Sequence, residues 1–370
     1  MCDCASSALA SAFHSIMSGL GQWLRWSLGP LQGFVPGLSS YRFFTILERN
    51  ESKAIRLIRK RRNLLALQQL ETGFSPLHVA ANTGRLELLK AVLARSDHKH
   101  YLDLQNNEKQ WTPLHCATRQ GSLEAVSLLL QASPNIHLRN KDGCSALHIA
   151  AGHGLLDMVK MLVGRGLMVD EADSGNQWTA LHYAAMKGYL NLAQWLVGAG
   201  AKPGALDKSE FTPMLLAILH GQYETFEYLF QFKDSFKAKI KLKPVHLAAQ
   251  SPTSTILDFL HSKQHNLREL DNAETQAQPI HYAAYGRSLA CLQYLLERGV
   301  DPNTVDKSGS TALHIAAINK DLKAVSLLCD MGADPTILNE KNLTPCDIAE
   351  SLNHYQLLSS LRRFQSSKSD

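Results

Sequence analysis

Seven histidines recur in one short context: His78, His115, His148, His182, His246, His281 and His314. Repeated imidazoles are metal-ligating material, and His115 also sits beside Cys116, a pairing that elsewhere makes a thiolate nucleophile. The spacing argues against both. Side chains that return once per helical layer lie roughly 10 Å apart, the packing distance of such layers. That is too far to share one ion at bonds of about 2 Å. Cys116 follows a repeated motif at a position that suits a small buried side chain. No G-x-x-x-x-G-K, G-x-S-x-G or H-E-x-x-H occurs in the chain. The residues therefore predict no catalytic centre, no cofactor and no metal.

The context that carries the histidines is the organising feature. Thr311-Ala-Leu-His-Ile-Ala-Ala317 has counterparts starting at Ser75, Thr112, Ser145, Thr179, Thr212, Lys243, Gln278 and Thr344. The successive intervals are 37, 33, 34, 33, 31, 35, 33 and 33 residues. A fixed period near 33 marks a stacked array in which no single unit closes a core. Within a unit the order reads turn, helix, connector, helix, loop. Asn140-Lys-Asp-Gly143 has turn chemistry, and Ser145 stands where an N-cap belongs. Proline follows the cap position in the units at 75, 112, 212, 243, 278 and 344, where a missing N–H costs nothing. Gly84, Gly121, Gly154, Gly188 and Gly221 fall nine residues after their motif starts and fit a left-handed residue ending the first helix. Leu155, Met158, Val159, Met161, Leu162 and Val163 give the second helix a doubled apolar stripe.

Motif, period and helix pattern together resemble the ankyrin repeat family, over roughly Phe74 to the C-terminus. The resemblance implies an all-α solenoid of stacked helix-turn-helix units with short β-turn fingers. It implies that each motif histidine bonds the hydroxyl three residues before it and tethers neighbouring turns. It also implies a protein–protein interaction scaffold or adaptor whose concave groove, made by turn tips and first helices, grips a partner. The pattern weakens at Leu215, which replaces histidine, and at Lys243, whose unit lacks the glycine and is the expected hinge. Asp347 replaces the last histidine, as befits a terminal cap.

The expected organisation is a leader helix at 1–40, a degenerate capping repeat at 41–73, nine repeats at 74–365 and a polar tail at 366–370. No further domain is expected after the last repeat. Apolar content of 45% with 19% charged residues and a net charge of +5 is an ordinary soluble balance, and nucleic acid is not an expected partner. Seven scattered cysteines give neither a disulfide framework nor zinc spacing, which points to a reducing compartment.

In the leader, Leu9, Phe13, Ile16, Met17, Leu20, Trp23 and Leu24 recur at helical steps opposite a serine-rich face. Three readings stay open: a cap on the first repeat, an interfacial membrane helix with Cys2 and Cys4 as acylation sites, or a disordered or processed leader. The basic run Arg59, Lys60, Arg61 and Arg62 is read as a solvated face, an import signal or an anionic-lipid contact. With the leader it makes residues 1–62 a candidate membrane surface. Lys237, Lys239, Lys241 and Lys243 alternate with apolar residues, as on one side of an extended finger. The expected location is cytoplasmic, ahead of membrane association and then the nucleus.

Two sets of positions carry the expected groove. The residue before each motif start is a turn-tip position, and Phe74, Trp111, Trp178 and Phe211 make it aromatic in four of the first five repeats. The seventh and eighth residues after each start add Arg119, Gln120, Met186, Lys187 and Tyr285. Aromatic and arginine anchors dominate interface energetics, so these nine residues are the expected partner-binding set.

Overall fold

The structure is a computed structural model that describes residues 40–61, 64–65, 67–69, 72–95, 97–232, 242–271 and 275–366. The leader with Cys2 and Cys4, Arg62, and the lysine run up to Lys241 lie outside the described residues. The chain divides into two compact units, one ending at Ala180 and the other beginning at Leu181. The weak repeat at Lys243 lies inside the second.

The first unit opens with α1 (Ser40–Arg49) and α2 (Glu51–Lys60). Phe43, Leu47, Ala54 and Ile58 are fully buried between them and the first repeat. Two arginines pin the ends of these helices. Arg85 Nη1 and Nη2 donate to the carbonyls of Leu47 and Glu48 at 2.5 and 2.6 Å, and Arg95 Nη1 to that of Ile58 at 2.7 Å. A cation on the last carbonyls satisfies orphan acceptors and opposes the helix dipole. Three repeats follow, each a pair of helices: α3 (Pro76–Thr83) with α4 (Leu86–Leu93), α5 (Pro113–Gln120) with α6 (Leu123–Gln131), and α7 (Ala146–Gly152) with α8 (Leu156–Gly164). The second unit repeats the plan from α9 (Ala180–Lys187) to the terminal pair α19 (Pro345–Ser351) and α20 (Tyr355–Ser366). Within each unit, first helices pack on the next first helix and on their own second helix.

The motif explains each first helix. Thr112 is extended (φ −89°, ψ 165°), Pro113 occupies the first turn, and Thr112 Oγ1 accepts from the His115 amide at 3.3 Å. His115 Nδ1 accepts in return from the Thr112 amide at 3.1 Å. Both alanines of each Ala-Ala pair in the repeats at 75, 145, 179, 243, 278 and 311 are buried, which keeps the first helix thin. Beyond it stands a left-handed residue, from Gly84 (φ 67°) to Gly221 (φ 69°). The seventh to ninth repeats hold the same conformation without glycine, at Arg287 (φ 56°), Lys320 (φ 57°) and Asn353 (φ 54°). Side-chain contacts in the stack outweigh a left-handed penalty of about 1–2 kcal/mol per residue.

The fingers are nucleated by side chains that period and motif do not mark. Asp306 Oδ1 accepts from the amides of Ser308 and Ser310, both at 2.9 Å. Asn140, Asp207 and Asn339 do the same in their fingers. Neighbouring fingers then join by single backbone bonds, Lys141 to Lys109 and Glu340 to Ser308, each 2.9 Å. The apex is a left-handed residue two before the motif start, such as Gly143 (φ 78°) or Glu210 (φ 64°). The residue just before the start is thus one step past the tip, and Cys144 and Ala277 are buried there. Among the described residues there is one isolated bridge, Ala172 with Thr179, and no longer strand.

Candidate functional site: finger and first-helix face

The histidines form a structural ladder. Ser75 Oγ lies 2.8 Å from His78 Nδ1, and the Ser75 amide donates to the same nitrogen. An Nδ1 that accepts leaves the proton on Nε2, which donates to the Trp111 carbonyl at 2.9 Å in the next repeat. His148, His246 and His281 reach Glu171, Glu269 and Thr304 carbonyls in the same way. His182 and His314 reach Phe211 and Leu343. Burial holds His78 at about 4, only partly offset by its bonds to the Trp111 and Leu104 carbonyls, and holds His115 at about 4. These rings are neutral near pH 7. Leu215 leaves the fifth repeat without this tether. Asp347 keeps only the local half of the job, accepting from the Thr344 amide at 2.8 Å and hydroxyl at 2.7 Å.

Among the described residues no three His, Cys, Asp or Glu side chains converge as a metal site. Cys116, Cys144, Cys291, Cys329 and Cys346 are buried thiols outside any disulfide. Burial pushes the Cys116 thiol up to about 12, so it is not a nucleophile beside His115.

The predicted groove residues divide by unit. In the first, Phe74 is half-buried and stacks on His78 with centroids 5.4 Å apart. Trp111 is half-buried near His115, with the Arg119 guanidinium 4.9 Å above its ring. Arg119 also donates to Asn82 Oδ1 at 3.0 Å, while Gln120 beside it is exposed. Trp178 is half-buried as well. In the second unit, Phe211, Met186 and Lys187 are half-buried. Tyr285 stands out at 69% exposure, and Ile318, one repeat on at the same position, at 55%. Asn319 Nδ2 donates to the Ala284 carbonyl at 3.0 Å, joining the ends of those two first helices. In the first unit, Arg59, Lys60 and Arg61 are exposed at the end of α2, where Arg59 lines a shallow cleft with Glu87, Lys90 and Arg95. Among the described residues no helix is long and apolar enough to cross a membrane.

Capped first helices, left-handed turns and a histidine ladder repeated at one period define a repeat-stack protein. The family described as ankyrin repeats (3 copies) matches residues 46–140, 77–173, 132–207, 167–243 and 245–360, and the chain belongs to it. Among curated proteins it is similar to ankyrin repeat protein nuc-2 of Neurospora crassa, 28% identical over 169 residues. That match covers 45% of this chain and 16% of the relative's length. Among solved structures it is similar to the human ASB11 ankyrin repeat domain, with a TM-score of 0.48 and 24% identity, covering 60% of this chain and 98% of that one. Ankyrin repeats are generally protein–protein interaction modules.

Proposed function

We propose that this chain is a non-catalytic scaffold or adaptor that binds a partner protein on the face formed by its fingers and first helices. The observation that carries the reading is the pair Tyr285 and Ile318, large apolar side chains left 69% and 55% exposed at one repeat position on consecutive repeats. Isolated exposed apolar residues are ordinary, whereas a repeated one at equivalent positions forms a patch that a partner can desolvate. The capped helices and joined fingers hold that patch in place before binding, so little ordering entropy is lost. Affinity capture with the intact chain, beside a Trp111→Ala, Trp178→Ala variant and a Tyr285→Ala, Ile318→Ala variant, tests it. A captured protein lost from either variant supports the reading, and one indifferent to both contradicts it.

A membrane tether is the second reading, supported by exposed Arg59, Lys60 and Arg61 at the end of α2. Co-flotation with phosphatidylserine vesicles, comparing the chain with a form lacking 1–40, decides it. Absence of both forms from the vesicle fraction contradicts it.

A further inference from the structure

The two units differ at the positions where a repeat is free to vary. One is the residue just before the finger-capping Asn or Asp. In the first unit it is Gln105, Arg139 or Ala172, polar or small. In the second it is Leu206, Leu270, Val305 or Leu338, with exposures of 37%, 46%, 49% and 54%. The other is the seventh residue after the motif start. It is Asn82, Arg119 and Gly152 in the first unit; in the second it is Met186, Leu219, Tyr285 and Ile318, with Gln250 and Ser351 in the sixth and ninth repeats. Neither position contributes to the caps, the histidine ladder or the second-helix stripe, so stacking does not demand apolar residues there. Each finger arm runs directly into the first helix of its repeat, and the last three fingers are joined edge to edge by the bonds Lys307 to Thr275 and Glu340 to Ser308, both 2.9 Å. The seventh to ninth repeats therefore present an apolar row on the finger arms, and the seventh and eighth a shorter one at first-helix ends, where the ninth carries Ser351.

Exposed cations stand at the margins of these rows. Lys307 and Lys341 lie at the finger tips, and Arg287 and Lys320 at the left-handed turns beyond the first helices. All four are exposed, and none has an ion pair among the described residues. The carboxylates of Asp271, Asp306 and Asp347 are used internally, and Glu350 faces Arg362 at 3.7 Å. Asp301, Asp321 and Asp334 accept backbone amides, and Glu340 is exposed at its finger tip.

Resting on the protein-binding reading above, we propose that the seventh to ninth repeats dock a segment of the partner protein that carries apolar side chains flanked by Asp or Glu. The apolar side chains cover Val305, Leu338, Tyr285 and Ile318, and the flanking carboxylates meet Lys307, Lys341, Arg287 and Lys320. Desolvation of the rows supplies affinity, and the basic margins set the sign of the partner's charge and the rate of encounter.

Random linear peptides displayed on phage and panned on the intact chain test this. The expected selection is acidic and apolar. A synthetic copy of the best peptide, read by fluorescence anisotropy, should weaken about tenfold with Ile318→Asp. It should weaken less, and lose most of its salt dependence, with Lys307→Glu and Lys341→Glu together. Circular dichroism of each variant confirms its fold, which exposed side chains do not determine. Peptides that are basic or neutral yet still sensitive to Ile318→Asp overturn the partner's chemistry and leave the binding face standing. Peptides indifferent to both changes overturn both readings, and failure to enrich any peptide overturns this one.

Discussion

His78 Nε2 sits 2.9 Å from the carbonyl oxygen of Trp111, thirty-three residues along the chain and one repeat away. A side chain that caps its own helix with one nitrogen holds the next repeat with the other. The cap half requires neutral imidazole: protonating Nδ1 would set its N–H against the Ser75 N–H, donor to donor. Burial brings His78 down to about 4 in the folded chain, from the 6.5 of a freely solvated ring. The unfolded chain thus binds the proton first, and stability is complete above pH 6.5 and falls as pH drops towards about 4. For His78 alone the loss is on the order of 3 kcal/mol. Urea midpoints measured from pH 7.5 downward should decline through this window, and a flat profile would contradict the ladder.

Leu215 removes that tether between the fifth and sixth repeats, and an aromatic contact takes its place. Phe259 meets Phe226 edge-on at 5.3 Å and 90°, and Phe230 at 5.3 Å and 86°. Phe259→Ala should cost about 3 kcal/mol. Because it uncouples neighbouring repeats, urea unfolding should also become less cooperative. A change below about 0.5 kcal/mol would show that this cluster does not hold the two repeats together.

Finger apices give opposite outcomes for one kind of change. A Cβ on Gly143 would lie 2.4 Å from Ser174 Cβ and 2.5 Å from its amide nitrogen, at φ 78°. Gly143→Ala should destabilise by about 2–3 kcal/mol, combining left-handed strain with the clash. Glu210 holds φ 64° without glycine. Glu210→Gly should be neutral or stabilising by up to about 1 kcal/mol. Thermal melts of the two variants check the contrast.

The described cysteines should be silent in the native state. Cys291 Sγ is buried 3.4 Å from the carbonyls of Ala248 and Thr253, and burial raises its thiol as it does that of Cys116. Mass spectrometry after iodoacetamide should find Cys116, Cys144, Cys291, Cys329 and Cys346 unlabelled in buffer and labelled in denaturant. Rapid native labelling at Cys116 would contradict the packing.

The fold was legible because its local chemistry is written in residue types. A hydroxyl cap, a histidine three residues on, paired alanines and a glycine for φ > 0 each have one physical use, and they return at one period. The finger caps left a fainter signal, an Asn or Asp five to seven residues before seven of the nine motif starts, which period alone does not single out. Arg287, Lys320 and Asn353 hide left-handed turns because no glycine marks them. The candidate surface was harder still. Trp111 reads as an exposed anchor, yet its exposure depends on Arg119 lying over the ring, a contact eight positions away that spacing does not specify. Tyr285 is marked by its place in the repeat, whereas the exposure of Val305 and Leu338 on the finger arms depends on packing that the sequence does not specify.

Hydrogen–deuterium exchange on the chain with and without a captured partner tests the central claim most directly. The account predicts slowed exchange in finger and first-helix peptides spanning 305–320 and 338–351. Exchange in second-helix peptides such as Leu289–Glu297 should be unchanged. Protection confined to the second helices, with the fingers untouched, would contradict it.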